Sequence, residues 1–503
     1  MANEQHVAIL KQGTIVWNRW RRKNRKIKPN LSGSNLRKWN LCKADLCEAK
    51  LTRANLTGAN LTGAKLSDVD LREANLSSAD LRKADLSSAK LTRANLSKAD
   101  LRGADLFDAT LIKAKLREAR LERANLHITD FRMADLRGCT LDLAKMNGAV
   151  FNWANLSKAS FIQVQMKGGM IYQANLTRSD FGHANLESVD LSESNLQGAN
   201  LSAANLSGTD LSKVNLHHAN LTGANLAEAW LKRANLNHAM LKHANLRSAN
   251  LTWGDFSNAD LTEAELTEAD LTGATFAGAD LTGACLTKTR LLNTNFTGAS
   301  LNSCHVYGIS AWGLKLDRAT QSNLIITRPG MPIITVDNIE VAQFIYLLLH
   351  SKKIRNVIDT ITSKVVLILG RFTPERKAVL DAIRNALRKQ DLLPVLFDFK
   401  RPASRDFTET ISTLAHMSRF VIADITDARS IPQELQRIVP DLPSVPVQPL
   451  LQASADEYGM FEHFKRYPSV LPIHRYSDCC DLVASLGEKV IAPARSKAKE
   501  LQK

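Results

Sequence analysis

Between residues 364 and 490 the residues able to do chemistry fall where short apolar runs stop. VVLILG (365 to 370) leads into Arg371 and Phe372, PVLFDF (394 to 399) carries Asp398, and FVIADI (420 to 425) runs through Asp424 to Asp427, with Glu434 shortly after. Read as strands, these runs put Gly370, Arg371, Phe372, Asp398, Asp424 and Asp427 at their carboxyl ends. That is where parallel α/β sheets take their ligands. A carboxylate there can stabilise an oxocarbenium-like centre or attack it, and a glycine lets the backbone approach phosphate or base closely. Plainer roles stand beside these: a strand-end turn for Asp424 and Thr426, a solvated helix face for Glu434. No GxxxxGK[ST] or GxGxxG sequence is present, so neither phosphate-binding fingerprint is supported.

The elements that must position these residues alternate. ERKAVLDAIRNALRKQ (375 to 390) has the spacing of an amphipathic helix. SIPQELQRIV, VPVQPLL, DEYGMFEHFKRY, VLPIHRY and DCCDLVASLGEKVI continue the alternation, giving five strands and a parallel, flavodoxin-like α/β sheet. Ahead of it, VDNIEVAQFIYLLLHSKKIRNVIDTI reads as one helix, with Asp337 as cap and Glu340 as capping-box partner. Its Val341, Phe344, Ile345 and Leu348 suit a dimer face, an interdomain face or packing within their own domain.

More than half the chain obeys a different rule. From Leu31 to Leu301 every fifth residue is Leu, Phe, Met or Ile, which makes 55 consecutive pentapeptides; 45 of these positions are Leu, and 39 of the positions two residues earlier are Ala. An α-helix turns about 100° per residue, so residues five apart would spiral round every side. A flat strand has period two and would send successive leucines to opposite faces. Only a chain that corners after each repeat keeps all of them on one axis, which is a β-solenoid. Asn or Asp before the central residue and Ser, Thr or Arg after it suit the corners. Between Leu126 and Ile171 the pattern loosens at Thr129, Cys139, Val164, Gly168 and Gly169, so a bulge or bend is expected there. Trp17, Trp20 and Trp39 are expected to cap the first coil, with base stacking as the alternative.

The A(D/N)LXX pattern resembles the pentapeptide-repeat family, which implies a right-handed quadrilateral β-helix with four repeats per coil. Some members of that family act as duplex-DNA mimics that bind gyrase, a role that needs a strongly acidic surface. This rod sums to only +3 over residues 31 to 305, its acids clustering locally from Asp255 to Asp270. The ILGRF run, the FVIADITDARSIPQEL run and the strand order resemble the TIR-like and nucleoside 2-deoxyribosyltransferase-like superfamily. That resemblance implies a ligand such as NAD or another nucleotide, ribose hydroxyls held by Asp424, and N-glycosidic cleavage served by Glu434. The Ser-x-Trp-Cys run that often precedes this glutamate in TIR domains is absent, and LQRIVP follows Glu434.

The formal charge of the 503-residue chain is +16, and residues 1 to 30 alone carry +7. Seven of the ten residues from Arg19 to Lys28 are basic, a match for phosphates or for a solvated lead-in. Seven scattered cysteines without a CxxC pair fit free thiols better than a disulfide framework or zinc site, and no metal is expected. No apolar run is long enough to span a bilayer and the N-terminus lacks a secretory pattern, so a cytoplasmic protein is expected. The expected organisation is a basic lead-in and cap (1–30), a solenoid (31–305), a linker and helix (306–363), a TIR-like domain (364–490) and a basic tail (491–503). The expected function is a protein-interaction scaffold whose rod positions a signalling or nucleotide-sensing domain, perhaps assembled as a homo-oligomer, in bacterial stress or phage defence. An NAD or nucleoside N-glycosidase using Glu434, and nucleic-acid binding through Arg19 to Lys28, are the alternatives.

Overall fold

The computed structural model describes residues 2–328, 333–370, 373–398, 414–427, 431–457, 459 and 461–501. The backbone divides into two units, Met1–Tyr346 and Leu347–Lys503.

In the first unit, parallel bridges join residue i to residue i+20, from Asn30 with Lys50 to His305 with Ile325. Four pentapeptides therefore complete each turn. The repeat Leu56 to Asn60 shows how the backbone is satisfied. Leu56 and Gly58 donate their N–H groups to Asn75 and Ser77 of the next turn (2.7 and 2.9 Å), and Asn60 donates to Trp39 of the previous one (2.9 Å). Ala59 N–H closes a tight turn on Leu56 O (2.9 Å), and Thr57 N–H donates to Asn55 Oδ1 (3.1 Å). All five N–H groups are paired, as a buried or stacked backbone requires. The consensus Asn or Asp is thus an acceptor for the amide two residues on.

The same turn forces the residue two after each central Leu to positive φ, as at Lys38 (60°), Arg53 (58°) and Glu73 (59°). Glycine is the natural occupant of that place. The row instead holds many lysines, arginines and glutamates, each bearing about 1 kcal/mol of strain. Three inter-turn hydrogen bonds per repeat, each worth about 1 kcal/mol net, offset it.

The expected bulge between Leu126 and Ile171 does not occur. Bridges run unbroken from Asn125 with Lys145 to Met170 with Asp190, because the interior substitutions compensate in volume. Phe131 stacks on Phe151 at 4.7 Å and Phe161 on Phe181 at 4.4 Å. Gly169 makes room for Met166, whose Cε would lie 2.3 Å from an added Cβ; Gly254 does the same for Phe256, at 2.8 Å. Where the Asn or Asp acceptor is missing, the turn below supplies one. Asp142, Asn147 and Asn152 accept from the amides of Ile162, Lys167 and Tyr172 at 3.0, 2.9 and 3.0 Å.

Both ends of the solenoid are closed. The lead-in is not a solvated strand but two helices, α1 (Glu4–Lys11) and α2 (Thr14–Lys23). Trp17 is buried and donates Nε1–H to Asp45 O (2.7 Å), Asn18 bonds both Lys43 O and Asp45 N–H (2.9 and 2.8 Å), and Arg21 donates to Cys47 O (3.0 Å). These bonds occupy an edge that would otherwise invite another strand. The capping expectation holds for Trp17, and its burial rules out base stacking by that ring. At the other end the register does not decay at His305. Val306 and Ala311 stay in the core, and Ser300 and His305 still bridge to Thr320 and Ile325. Leu324–Ile325 then pairs antiparallel with Thr335–Val336.

Helix α3 (Ile339–His350) seals that end with Ile339 and Ala342, while Gln343 Oε1 accepts from Ala311 N–H (2.7 Å). Its cap is Asn338, which accepts from Val341 N–H (2.9 Å); Asp337 instead accepts from Asn323 N–H (2.8 Å). Val341 and Phe344 are exposed, and the Leu348 side chain lies outside the described residues. The single helix expected here is two, because Ser351 interrupts it and its hydroxyl caps α4 (Lys352–Lys364).

The second unit is a parallel sheet of five strands: β1 (Val365–Gly370), β2 (Leu393–Asp398), β3 (Phe420–Asp424), β4 (Val447–Gln452) and β5 (His474–Tyr476), in the order β2-β1-β3-β4-β5. Its other helices are α5 (Pro374–Lys389), α6 (Ile431–Asp441), the short α7 (Phe461–Phe464), α8 (Cys479–Ser485) and α9 (Ala492–Leu501). Leu367 and Leu369 of β1 pack with Leu435 and Phe464, while Val366 and Ile368 pack with Leu380 and Leu482. Both faces are covered, which is why the strands read as unbroken apolar runs. The expected basic tail is largely α9, which buries Ala494 and Ala498.

Two measurements follow. Gly169→Ala and Gly254→Ala should each destabilise the first unit by about 1–3 kcal/mol by overpacking, read as lowered denaturation midpoints in circular dichroism; midpoints equal to wild type would contradict the volume account. Asp70, Asp80 and Asp100 are each held below the usual carboxylate range chiefly by the Arg72, Arg82 or Arg102 side chain. Their contribution is present above the unfolded pKa of about 3.9 and is lost as pH falls through the lower folded values. Thermal midpoints should therefore drop more steeply below pH ~4 in wild type than in an Arg72→Gln, Arg82→Gln, Arg102→Gln variant.

Candidate functional site

At the carboxyl ends of β3, β4 and β5 the chain builds a buried polar cluster. Thr373 and Pro374 start α5, and Arg376 in its first turn points back over the sheet. Its guanidinium pairs with Asp424 (Nε to Oδ2, 3.0 Å), donates to Gln452 Oε1 (2.9 Å) and reaches the Tyr476 hydroxyl. Thr426 holds the other carboxylate oxygen, with N–H at 3.2 Å and Oγ1–H at 2.7 Å, and accepts Gln452 N–H at 3.1 Å. Burial alone would lower the Arg376 pKa, but the Asp424 charge and the Tyr476 hydroxyl raise it on balance. Tyr476 is pushed above its ordinary value by burial and then by the Asp424 charge.

Only part of the expected strand-end set meets here. Asp424 is buried, and both its oxygens are engaged by the chain itself. Gly370 ends β1, and the space its side chain would take is filled by Leu380, whose Cδ2 would lie 2.7 Å from an added Cβ. That glycine serves the packing of α5 on β1. Asp427 follows β3 and is half-buried. Asp398 ends β2 and Glu434 lies in α6; their side chains, with Arg371 and Phe372, lie outside the described residues. Sequence reasoning missed Arg376, Gln452 and Tyr476. A signal existed: an arginine in a first helical turn opposes the helix dipole and needs an anion nearby.

A second feature lies on the solenoid surface, in the row held at positive φ. Ile128, Met133, Leu143 and Trp153 occupy that row at 61, 58, 61 and 61° and are 56, 48, 42 and 46% exposed. Gly138 and Gly148 take the two places between. Ile128 is the only β-branched residue at positive φ among the described residues, a conformation that such side chains avoid. Turns repeat every 20 residues, so the row from Ile128 to Trp153 passes once round the solenoid and begins a second turn. Exposed Met170 and the Tyr172 ring, edge-on to Trp153 at 6.0 Å, extend it. The loosened pattern between Leu126 and Ile171 was thus a real signal, written on the outer surface as well as the interior.

The basic run is partly consumed in capping. Arg21 is buried and donates to Ile27 O (2.6 Å), and Lys28 pairs with Glu48 (2.7 Å). Among the described residues no group of three or more His, Cys, Asp or Glu could hold a metal ion, and no helix is long and apolar enough to cross a membrane.

Asp424→Asn or Arg376→Met alone should destabilise the second unit by about 3–5 kcal/mol, since each strands a buried partner. The double replacement Arg376→Met with Asp424→Leu should recover most of that loss in chemical denaturation. A double variant as unstable as the sum of the singles would show that the pair is not coupled.

A family profile described as pentapeptide repeats (8 copies) matches in overlapping segments from residues 30–68 to 276–309. No curated relative matches the chain. Similar solved structures include HetL of Nostoc sp. strain PCC 7120, a pentapeptide repeat protein involved in heterocyst differentiation regulation: 27% identical, covering 49% of this chain and 92% of that one, TM-score 0.25. QnrB1, a plasmid-mediated fluoroquinolone resistance protein, is 22% identical over 38% of this chain and 89% of its own, TM-score 0.23. A pentapeptide repeat protein of the Arabidopsis thaliana thylakoid lumen is 28% identical over 21% of this chain and 69% of its own, TM-score 0.14. With the profile covering more than half its length and four five-residue repeats closing every turn, this chain belongs to the pentapeptide-repeat family.

Proposed function

We propose that the chain is a cytoplasmic protein-interaction scaffold in which the solenoid carries a partner-docking band and the α/β unit is a TIR-like signalling or nucleotide-sensing domain. A setting in bacterial stress or phage defence suits that pairing. The observation that carries the docking role is the apolar row Ile128, Met133, Leu143 and Trp153. Four exposed apolar side chains in a strained conformation cost folding stability and return nothing to the core. Such local rule-breaking collects at functional sites, and apolar patches rimmed by polar residues mark protein contacts. For the α/β unit, the support is the strand order β2-β1-β3-β4-β5, the order of flavodoxin-like sheets.

The same order favours a second reading, NAD or nucleoside N-glycosidase activity with Glu434 as the carboxylate. Glu434 lies in the helix that follows β3, the place this chemistry assigns to it. Nucleic-acid binding through Arg19 to Lys28 has less support, because Arg21 and Lys28 are already engaged.

The test separates stability from binding. Ile128→Asn should stabilise the fold by about 1 kcal/mol, since asparagine tolerates positive φ, yet weaken a partner trapped by a photo-crosslinker at position 153. Partner retention unchanged by Ile128→Asn with Met133→Asn would remove the docking role. For the second reading, NAD should be consumed by wild type and not by Glu434→Ala; equal consumption by both would eliminate it.

A further inference from the structure

One face of the solenoid carries a groove of about 540 Å³ whose lining includes Lys158, Thr177, Arg178, Gln197, Gly198 and His218, and no acidic side chain. Lys158, Arg178, Gly198 and His218 stand in one row, each 20 residues from the next, on successive turns. Successive turns stack about 4.8 Å apart. Two cations therefore sit on adjacent turns, glycine leaves a gap on the third, and an imidazole stands on the fourth. The Arg178 stem borders the gap, 3.6 Å from where a Gly198 Cβ would be. The acids nearest in sequence are committed elsewhere: Glu187 to Lys167 and Glu193 to Lys213, both at 2.8 Å, and Asp180 to the Gly182 amide and Asn200 at 2.9 and 2.8 Å.

We propose that this groove binds an oxyanion ester on a polyhydroxylated carrier, a sugar phosphate or a sulfated sugar, with the anion at Lys158 and Arg178 and the sugar over Gly198 toward His218. Charge complementarity selects the anion. The rest of the lining selects the carrier, because Thr177, Gln197 and His218 offer donors and acceptors matched to hydroxyl groups. Burial, followed by the neighbouring His217 and His238, lowers the His218 pKa. At neutral pH its ring is therefore uncharged and can both donate and accept. Backbone recognition contributes little, since the amides of these turns are already paired within the solenoid. The volume falls in the range of small-molecule sites.

Titration calorimetry of the full chain with glucose 6-phosphate, a sulfated disaccharide and inorganic phosphate tests this. At least one sugar ester should bind roughly tenfold more tightly than inorganic phosphate, and which one does identifies the carrier. Arg178→Asn and Lys158→Asn, both compatible with positive φ, should each weaken that binding about tenfold. Gly198→Gln should abolish it by filling the gap, and Lys38→Asn, in the same row but remote from the groove, should leave it unchanged. Sugar esters no tighter than inorganic phosphate, no heat from any ligand, equal loss with Lys38→Asn, or duplex DNA competing through the same residues while sugar esters fail to bind, would each overturn the proposal.

Discussion

The constraint on which the first unit depends is that no backbone amide in a repeat is left over. Two bond to the next turn, one to the previous turn, one closes the corner, and one goes to an Asn or Asp side chain. A chain so closed has no lateral edge from which to recruit strands. Its only open ladders are at the two ends, and each is sealed by a helix that brings polar side chains to it: Trp17, Asn18 and Arg21 at one, Gln343 at the other. What remains for function is the outward side chains, on a lattice whose spacing is fixed.

That division explains how the surface can vary while the interior hardly does. The axis admits one large and one small residue per repeat. Where Phe or Met replaces Leu, the structure answers with stacking along the axis or with a glycine beside it. Outside, the positive-φ row accepts lysine, glutamate, tryptophan or isoleucine at modest cost, so charge pairs, apolar bands and grooves can be written along it one turn at a time. Arg53 with Glu73 and Lys213 with Glu193, each pair 20 residues apart, show the register at which such residues meet.

Much of this was legible in the sequence. An odd period of five excludes both helix and flat strand, so the solenoid follows from Leu31 to Leu301 alone; the number of repeats per turn does not, since any polygon would keep leucines inward. The end of the coil was misplaced because Ala and Asn disappear after His305, although Val306, Ala311 and Leu316 keep the five-step spacing. The bulge was misread because Gly169 looks like a gap when Met166 is not considered as its neighbour. In the α/β unit the strands announced themselves through burial on both faces. The Arg376 cluster did not, because its members lie up to 100 residues apart and meet only when the sheet is assembled. Ser351 likewise gave no warning that one helix would become two.

The central claim is that residues 126 to 171 form the same closed lattice as their neighbours, so that their departures from the repeat serve the surface. Amide hydrogen exchange read by mass spectrometry tests this most directly. Peptides from 126 to 171 should exchange as slowly as peptides from 56 to 100, with the fastest exchange confined to the terminal caps. Rapid exchange confined to the 126 to 171 segment would show an opened ladder and contradict the account.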